Sequence, residues 1–225
     1  MTDPALVRCE EATVGFATRA GMLTVLQPAS CAVLPGRQIA VSGPSGSGKT
    51  TLLHLLGGLQ PPDGGTVSWP GLGGAPGRRP DLVGIALQGP SLLPPLDVTE
   101  NVMLPLLLAG VAEGAARRRA GRLLAEFGLS EVAAKLPEEL SGGQASRVGI
   151  VRALVARPAL VLADEPTGQL DTATAAAVIA RLVDSAAAYG AALVVATHDP
   201  AVAARLGLRW RLDDGVLHTC PGADR

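Results

Sequence analysis

Lysine occurs only twice in this chain of 225 residues, as Lys49 and Lys135, and aromatic residues make up 2% of it. A lysine standing inside a glycine-rich turn is therefore a position to explain. The formal net charge of −1 leaves no basic surplus to hold a nucleic-acid backbone, so no nucleic acid is expected as a partner. Three widely spaced cysteines, Cys9, Cys31 and Cys220, form neither a metal-ligand spacing nor an even disulfide set, and read as buried or incidental thiols of a reducing compartment. No apolar run reaches the ~20 residues that a membrane-spanning helix needs; the nearest, at 102–111, is short and contains Pro105. Met1-Thr2-Asp3-Pro4 offers no basic or apolar leader, so no export signal is expected. What the chain does have is 48% hydrophobic residues, enough to bury a large core in one α/β domain.

The lysine that calls for explanation lies in Gly43-Pro44-Ser45-Gly46-Ser47-Gly48-Lys49-Thr50, followed by Thr51. This is the phosphate-cradling pattern G-x-x-x-x-G-K-[ST], and its flanks suit it: 37–42 is short and β-prone, and 51–56 carries a helical apolar face. Glycines at 43, 46 and 48 let the backbone fold with its N–H groups inward, where they and the helix N-terminus receive phosphates. Lys49 reaches the β/γ oxygens, and Thr50 supplies a hydroxyl for Mg²⁺. The reading is a nucleotide triphosphatase.

Along the chain, 5–41 reads as short strands broken by turns. Phe16 lies in a polar, Gly-containing stretch, either stacked on an adenine ring or anchoring a small sheet. After a turn at 60–65 and a strand at 66–69, the Gly/Pro-rich segment 70–81 reads as a connection without chemistry. A buried strand at 83–87 ends at Gln88, which is a ligand contact or a plain turn residue. From 90 to 158 the texture is helical, with helices over Val98–Leu108 and 113–127, a short one at 132–135, and exposed leucines at Leu92 and Leu93. Arg117, Arg118 and Arg119 form a solvated face or a contact to anionic lipid. This region is a helical subdomain inserted into the α/β core.

Ser141-Gly142-Gly143-Gln144 then opens a helix running to residue 157. Serine is a good N-cap, and two glycines expose N–H groups, which makes a second anion site. The apolar run 159–163 reads as a central parallel strand ending in Asp164-Glu165. In a phosphate-loop enzyme the first carboxylate holds Mg²⁺ and the second orients or deprotonates the attacking water. A turn to Asp171, a helix over Thr172–Tyr189 and another buried strand at 192–196 bring His198 to the same sheet edge, within reach of a γ-phosphate. Residues 209–217 read as a terminal hairpin.

In this order the motifs resemble the ATP-binding subunit of ABC transporters over nearly the whole chain, with Leu140-Ser141-Gly142-Gly143-Gln144 as the most specific one. The phrases at 100–106 and 163–168 look like the subfamily of lipoprotein-release, MacB-type and FtsE-type complexes. The resemblance implies a P-loop NTPase core at 1–88 and 159–225, with an N-terminal antiparallel β subdomain and a helical signature subdomain at 89–158. It implies ATP and Mg²⁺ as ligands, and catalytic roles for Glu165, His198 and Gln88, the last also sensing the metal. Phe16 becomes an adenine-stacking residue, and Asp171 joins the nucleotide-binding set. Two such subunits, identical or homologous, would sandwich two ATPs, the signature of one closing on the loop of the other. The pair would sit in the cytoplasm on the inner face of the cell membrane, against an integral membrane permease; the apolar segment 89–108 reads as the groove that docks it, or as residues packed under the helix of Arg117 to Arg119. Ala145-Ser146 and Gln169 depart from the usual pattern of the family. Two alternatives stay open: a regulatory ATPase that signals through a membrane partner without transport, and a DNA-repair ATPase of the same superfamily, which the missing coiled coil and zinc cysteines disfavour.

Overall fold

The computed structural model describes residues 5–19, 21–77, 79–89 and 91–219; Met1 to Pro4 and Cys220 lie outside them. The chain runs β1 (Val7–Thr18), β2 (Gly21–Val33), β3 (Gln38–Ser42), α1 (Lys49–Leu56), β4 (Gly64–Ser68), β5 (Val83–Ala86), α2 (Val98–Leu108), α3 (Glu113–Glu126), α4 (Gly142–Leu154), β6 (Leu160–Asp164), α5 (Thr172–Tyr189), β7 (Ala192–Thr197), α6 (Pro200–Ala203), β8 (Leu208–Asp213) and β9 (Val216–His218).

Every residue of β6 and β7 is buried, because both lie inside a six-stranded sheet of order β5-β6-β7-β3-β8-β9, parallel up to β8. Their side chains alternate between two cores. Val161, Ala163, Leu193 and Val195 pack with apolar residues of α2 to α6. Leu160, Leu162, Val194 and Ala196 pack with α1 and the β1–β2 side. The inserted helices thus share one continuous apolar cluster with α5 and the sheet. The terminal hairpin is present, but its first strand, β8, extends the parallel sheet beside β3, with Trp210 fully buried opposite Val41.

The expectation of short strands before the phosphate loop is corrected: β1 and β2 have 12 and 13 residues and pair antiparallel, with β4 on the far side of β1. The apparent breaks are bulges. Between Cys9 and Ala12 the register shifts around Glu11, whose φ is 48°, and Ser30 bonds the displaced Glu11 at both backbone and carboxylate. Between Ala12 and Val14 a second shift absorbs Pro28, which a regular ladder could not hold.

In the helical region, the fully buried Asn101 of α2 donates to the carbonyls of Leu93, Leu96 and Asp97 and accepts from the Leu93 N–H at 2.7 Å. That net folds the preceding loop inward. Leu92 is consequently 8% exposed, against the expectation that it lies open, whereas Leu93 is 42% exposed. The short helix expected at 132–135 is instead a single 3-10 turn at Ser130–Val132. Arg117 and Arg118 are exposed, while Arg119 is half-buried; burial, then the nearby Arg157 charge, lowers its pKa. Among the described residues no helix is long and apolar enough to cross a membrane.

Candidate functional site

The loop after β3 fits between two strands that leave no room for side chains at its ends. A Cβ on Gly43 would fall on the Leu212 carbonyl oxygen of β8, and one on Gly48, at φ 101°, would come within 2.8 Å of the Val25 carbonyl oxygen of β2. Gly48 is also the residue before the first turn of α1. The N-terminus of α1 therefore opens where the loop closes, and an anion there meets backbone N–H groups and the helix dipole. Lys49 is 7% exposed; its ammonium donates to the carbonyls of Gly43 and Pro44, both at 2.9 Å, and lies 3.9 Å from Glu165 Oε1.

The parallel strands aim the remaining groups at the same place. Asp164 ends β6, with Ala196 of β7 beside it, and its Oδ2 accepts a 2.6 Å bond from the Thr50 hydroxyl. Its other oxygen, Oδ1, and the hydroxyl of Ser47 are buried without a hydrogen-bond partner. Glu165 follows in the left-handed region at φ 44°, its N–H donating to the Ala196 carbonyl at 3.0 Å. A non-glycine residue held there is strained and needs neighbours that fix it. Its Oε1 is 2.9 Å from His198 Nδ1. Together Ser45, Gly46, Lys49, Thr50 and Thr51 on one wall and Gln88, Asp164 and Glu165 on the other line a cleft of about 230 Å³.

Gln88 thus enters the cleft, and His198 reaches it through Glu165. Phe16 does not line it: it is 45% exposed on β1, opposite Leu23. The residue of this hairpin that does is Val25, for which the sequence carries no signal beyond a place in an apolar strand.

The signature lies elsewhere. Ser141 and Gln144 form a reciprocal cap at the start of α4, the serine hydroxyl accepting from Gln144 N–H at 3.2 Å and the Gln144 carboxamide from Ser141 N–H at 2.9 Å. Capping therefore accounts for the glutamine as well as the serine. The glycines have a second reason to be small: a Cβ on Gly142 would meet Gln169 Oε1 at 2.6 Å, and one on Gly143 the Leu170 side chain at 2.8 Å. These residues, with Asp171, line a cavity of about 600 Å³ that shares no residue with the cleft. Asp171 caps α5 by accepting from the N–H groups of Ala173 and Thr174. The Thr174 side chain first, then its N–H, holds the Asp171 carboxyl below its ordinary pKa.

A glycine-rich loop between strand and helix, an inward lysine, and a carboxylate pair at the adjoining strand end define a phosphate-loop nucleotide triphosphatase. Residues 26–168 match the family described as ABC transporter. The chain belongs to the ABC transporter family, as an ATP-binding ATPase subunit. It is 43% identical to the lipoprotein-releasing system ATP-binding protein LolD of Maricaulis maris over 90% of this chain and 91% of that one. It is 38% identical to the protein of the same name from Idiomarina loihiensis, over 97% and 98%. Among solved structures it resembles a dimeric, post-hydrolysis state of the ATP-binding cassette MJ0796 bound to ADP and Pi, with TM-score 0.88 and 31% identity over 96% of this chain and 99% of that one. A further dimeric MJ0796 structure, called a bacterial ABC transporter cassette, matches equally well, also with TM-score 0.88.

Proposed function

We propose that two copies of this chain, or one copy and a homologous subunit, close around two ATPs and drive a membrane partner of the lipoprotein-releasing kind. The observation that carries this reading is the separation of two incomplete halves, a cleft with the lysine and the Asp164–Glu165 pair and a signature cavity whose one carboxylate, Asp171, caps α5. The likeness to dimeric cassettes and to LolD proteins supports it.

In each site the loop 43–51, through its available N–H groups and the Lys49 ammonium, binds the phosphates, and the Ser141–Gln144 helix start of the other chain faces the γ-phosphate. Phe16 or Val25 meets the base. The donor set fits Mg²⁺: a threonine hydroxyl, a buried carboxylate with one unmet oxygen, and the Gln88 carboxamide are hard oxygen ligands. Among the described residues no group of three or more His, Cys, Asp or Glu could hold a metal ion, and the phosphates supply the remaining ligands. Bound through Thr50, Asp164 and Gln88, the ion would neutralise charge on the phosphate oxygens. Glu165 accepts the proton of the attacking water, and His198, hydrogen-bonded to its Oε1, fixes the direction of that carboxylate. Segments 1–88 and 159–225 act as the ATP-binding core, and 89–158 as the moving subdomain.

The membrane partner docks beside the exposed Leu93, Leu107 and Leu108. Leu93→Glu is expected to abolish co-purification with the membrane subunit while basal ATPase stays within about twofold, since a surface substitution disturbs the fold little. Undiminished co-purification would remove this docking site from the account.

A further inference from the structure

The turn that leaves Glu165 lies along the first two turns of α4. The end of the Gln169 side chain lies against Gly142 and that of Leu170 against Gly143, and the Ser146 hydroxyl donates to the Pro166 carbonyl at 3.0 Å. Within the turn, Gly168 N–H returns to the Glu165 carbonyl at 3.1 Å and Leu170 N–H to the Thr167 carbonyl at 3.0 Å. The strained Glu165 backbone is therefore held on one side by Ala196 of β7 and on the other, through the next residue, by Ser146. The far end of α4 is also tied to the segment that follows Gln88. Arg152 donates to the Ser91 carbonyl at 2.8 Å and to its hydroxyl at 2.6 Å, three residues beyond Gln88. Burial lowers the Arg152 pKa.

We infer that Ser146 is a positioning residue for hydrolysis: its hydroxyl clasps the signature helix to the turn that carries Glu165, so that this carboxylate and the signature N–H groups of the same chain keep one fixed relation. The inference rests on the proposed role of Glu165. Ser146 touches no nucleotide in this account; it acts only by holding the Pro166 peptide, and through it the left-handed Glu165. Loss of the hydroxyl lets the turn relax toward unstrained backbone and moves the carboxylate away from the line of attack.

The test compares Ser146→Ala, Ser146→Thr and Glu165→Gln in the full chain, measuring kcat and KM for ATP, nucleotide affinity with a fluorescent ATP analogue, and melting temperature. Ser146→Ala is expected to lower kcat roughly tenfold, the scale of a sub-ångström misplacement of a catalytic group, with KM and nucleotide affinity within about twofold. Ser146→Thr, which keeps a hydroxyl at the same place, is expected to restore kcat. Unchanged kcat in Ser146→Ala, a rise in KM instead of a fall in kcat, or no recovery with threonine overturns the inference. Glu165→Gln separates the two ideas. If it hydrolyses ATP at the wild-type rate, the reading of the site fails; if it is inactive while Ser146→Ala is fully active, only the clasp fails.

Discussion

Around the phosphate loop, side chains from α1 and from the ends of β6 and β7 converge, with Thr50, Asp164, Lys49, Glu165 and His198 linked by contacts of 2.6 to 3.9 Å. Around the signature, the polar groups of Ser141 and Gln144 bond each other, the one lining carboxylate, Asp171, caps α5, and the cavity is more than twice as large. The first surface holds acid, base and cation in reach of one another. The second holds helix-start N–H groups, the Arg147 side chain and the capping carboxylate of Asp171, without a base and cation gathered on one point. A surface with anion-binding geometry and no reacting group is useful when another chain brings the nucleotide to it.

The contrast breaks most sharply at Glu165. Glu165→Gln keeps the shape of the cleft but cannot accept a proton, so kcat for ATP should fall on the order of 10³-fold with nucleotide affinity retained; steady-state kinetics beside equilibrium binding will show whether the two separate. Lys49→Ala acts on the same surface but on binding. Losing the buried ammonium should weaken ATP on the order of 100-fold, as titration with a fluorescent analogue would reveal. On the other surface, Gly143→Ala forces a Cβ against Leu170 and should lower turnover roughly tenfold while the isolated chain binds ATP as before. Equal damage to binding would mean that the two surfaces are not independent.

The smallest effect concerns acid. Because the folded Asp171 carboxyl lies below its ordinary pKa, its cap contributes fully above the unfolded value of about 3.9 and fades as pH falls through the lower folded one. Asp171→Ala should therefore melt below wild type at neutral pH, and the gap should close only in strong acid. A gap that does not change with pH would leave the cap without its charge.

The two surfaces also differ in how much of them the sequence disclosed. The cleft is written in contiguous stretches, since the loop is local and Asp164-Glu165 ends an uninterrupted apolar strand; helices such as Val98–Leu108 and Thr172–Tyr189, capped by Asp97 and Asp171, have the bounds expected. What stayed hidden depends on partners far along the chain. Val25 lines the cleft because β2 runs past Gly48, and Leu92 is covered because Asn101 draws its loop inward. Bulges around Glu11 and Pro28 let two long strands pass for several short ones. Ser146, in sequence only a departure from the family pattern, donates its hydroxyl to the Pro166 carbonyl of its own chain.

The central claim is that the two halves belong to one site built from two chains, and the most direct measurement is mass in solution with saturating ATP and Mg²⁺. Glu165→Gln, which binds without hydrolysing, should shift from the 22.7 kDa of a single chain to twice that. The same chain carrying Ser141→Arg as well should still bind ATP and stay at the mass of one chain, because the signature it offers to its neighbour is blocked. A Glu165→Gln chain that remains single at saturating ATP, or a double variant that pairs as readily, would contradict the shared site.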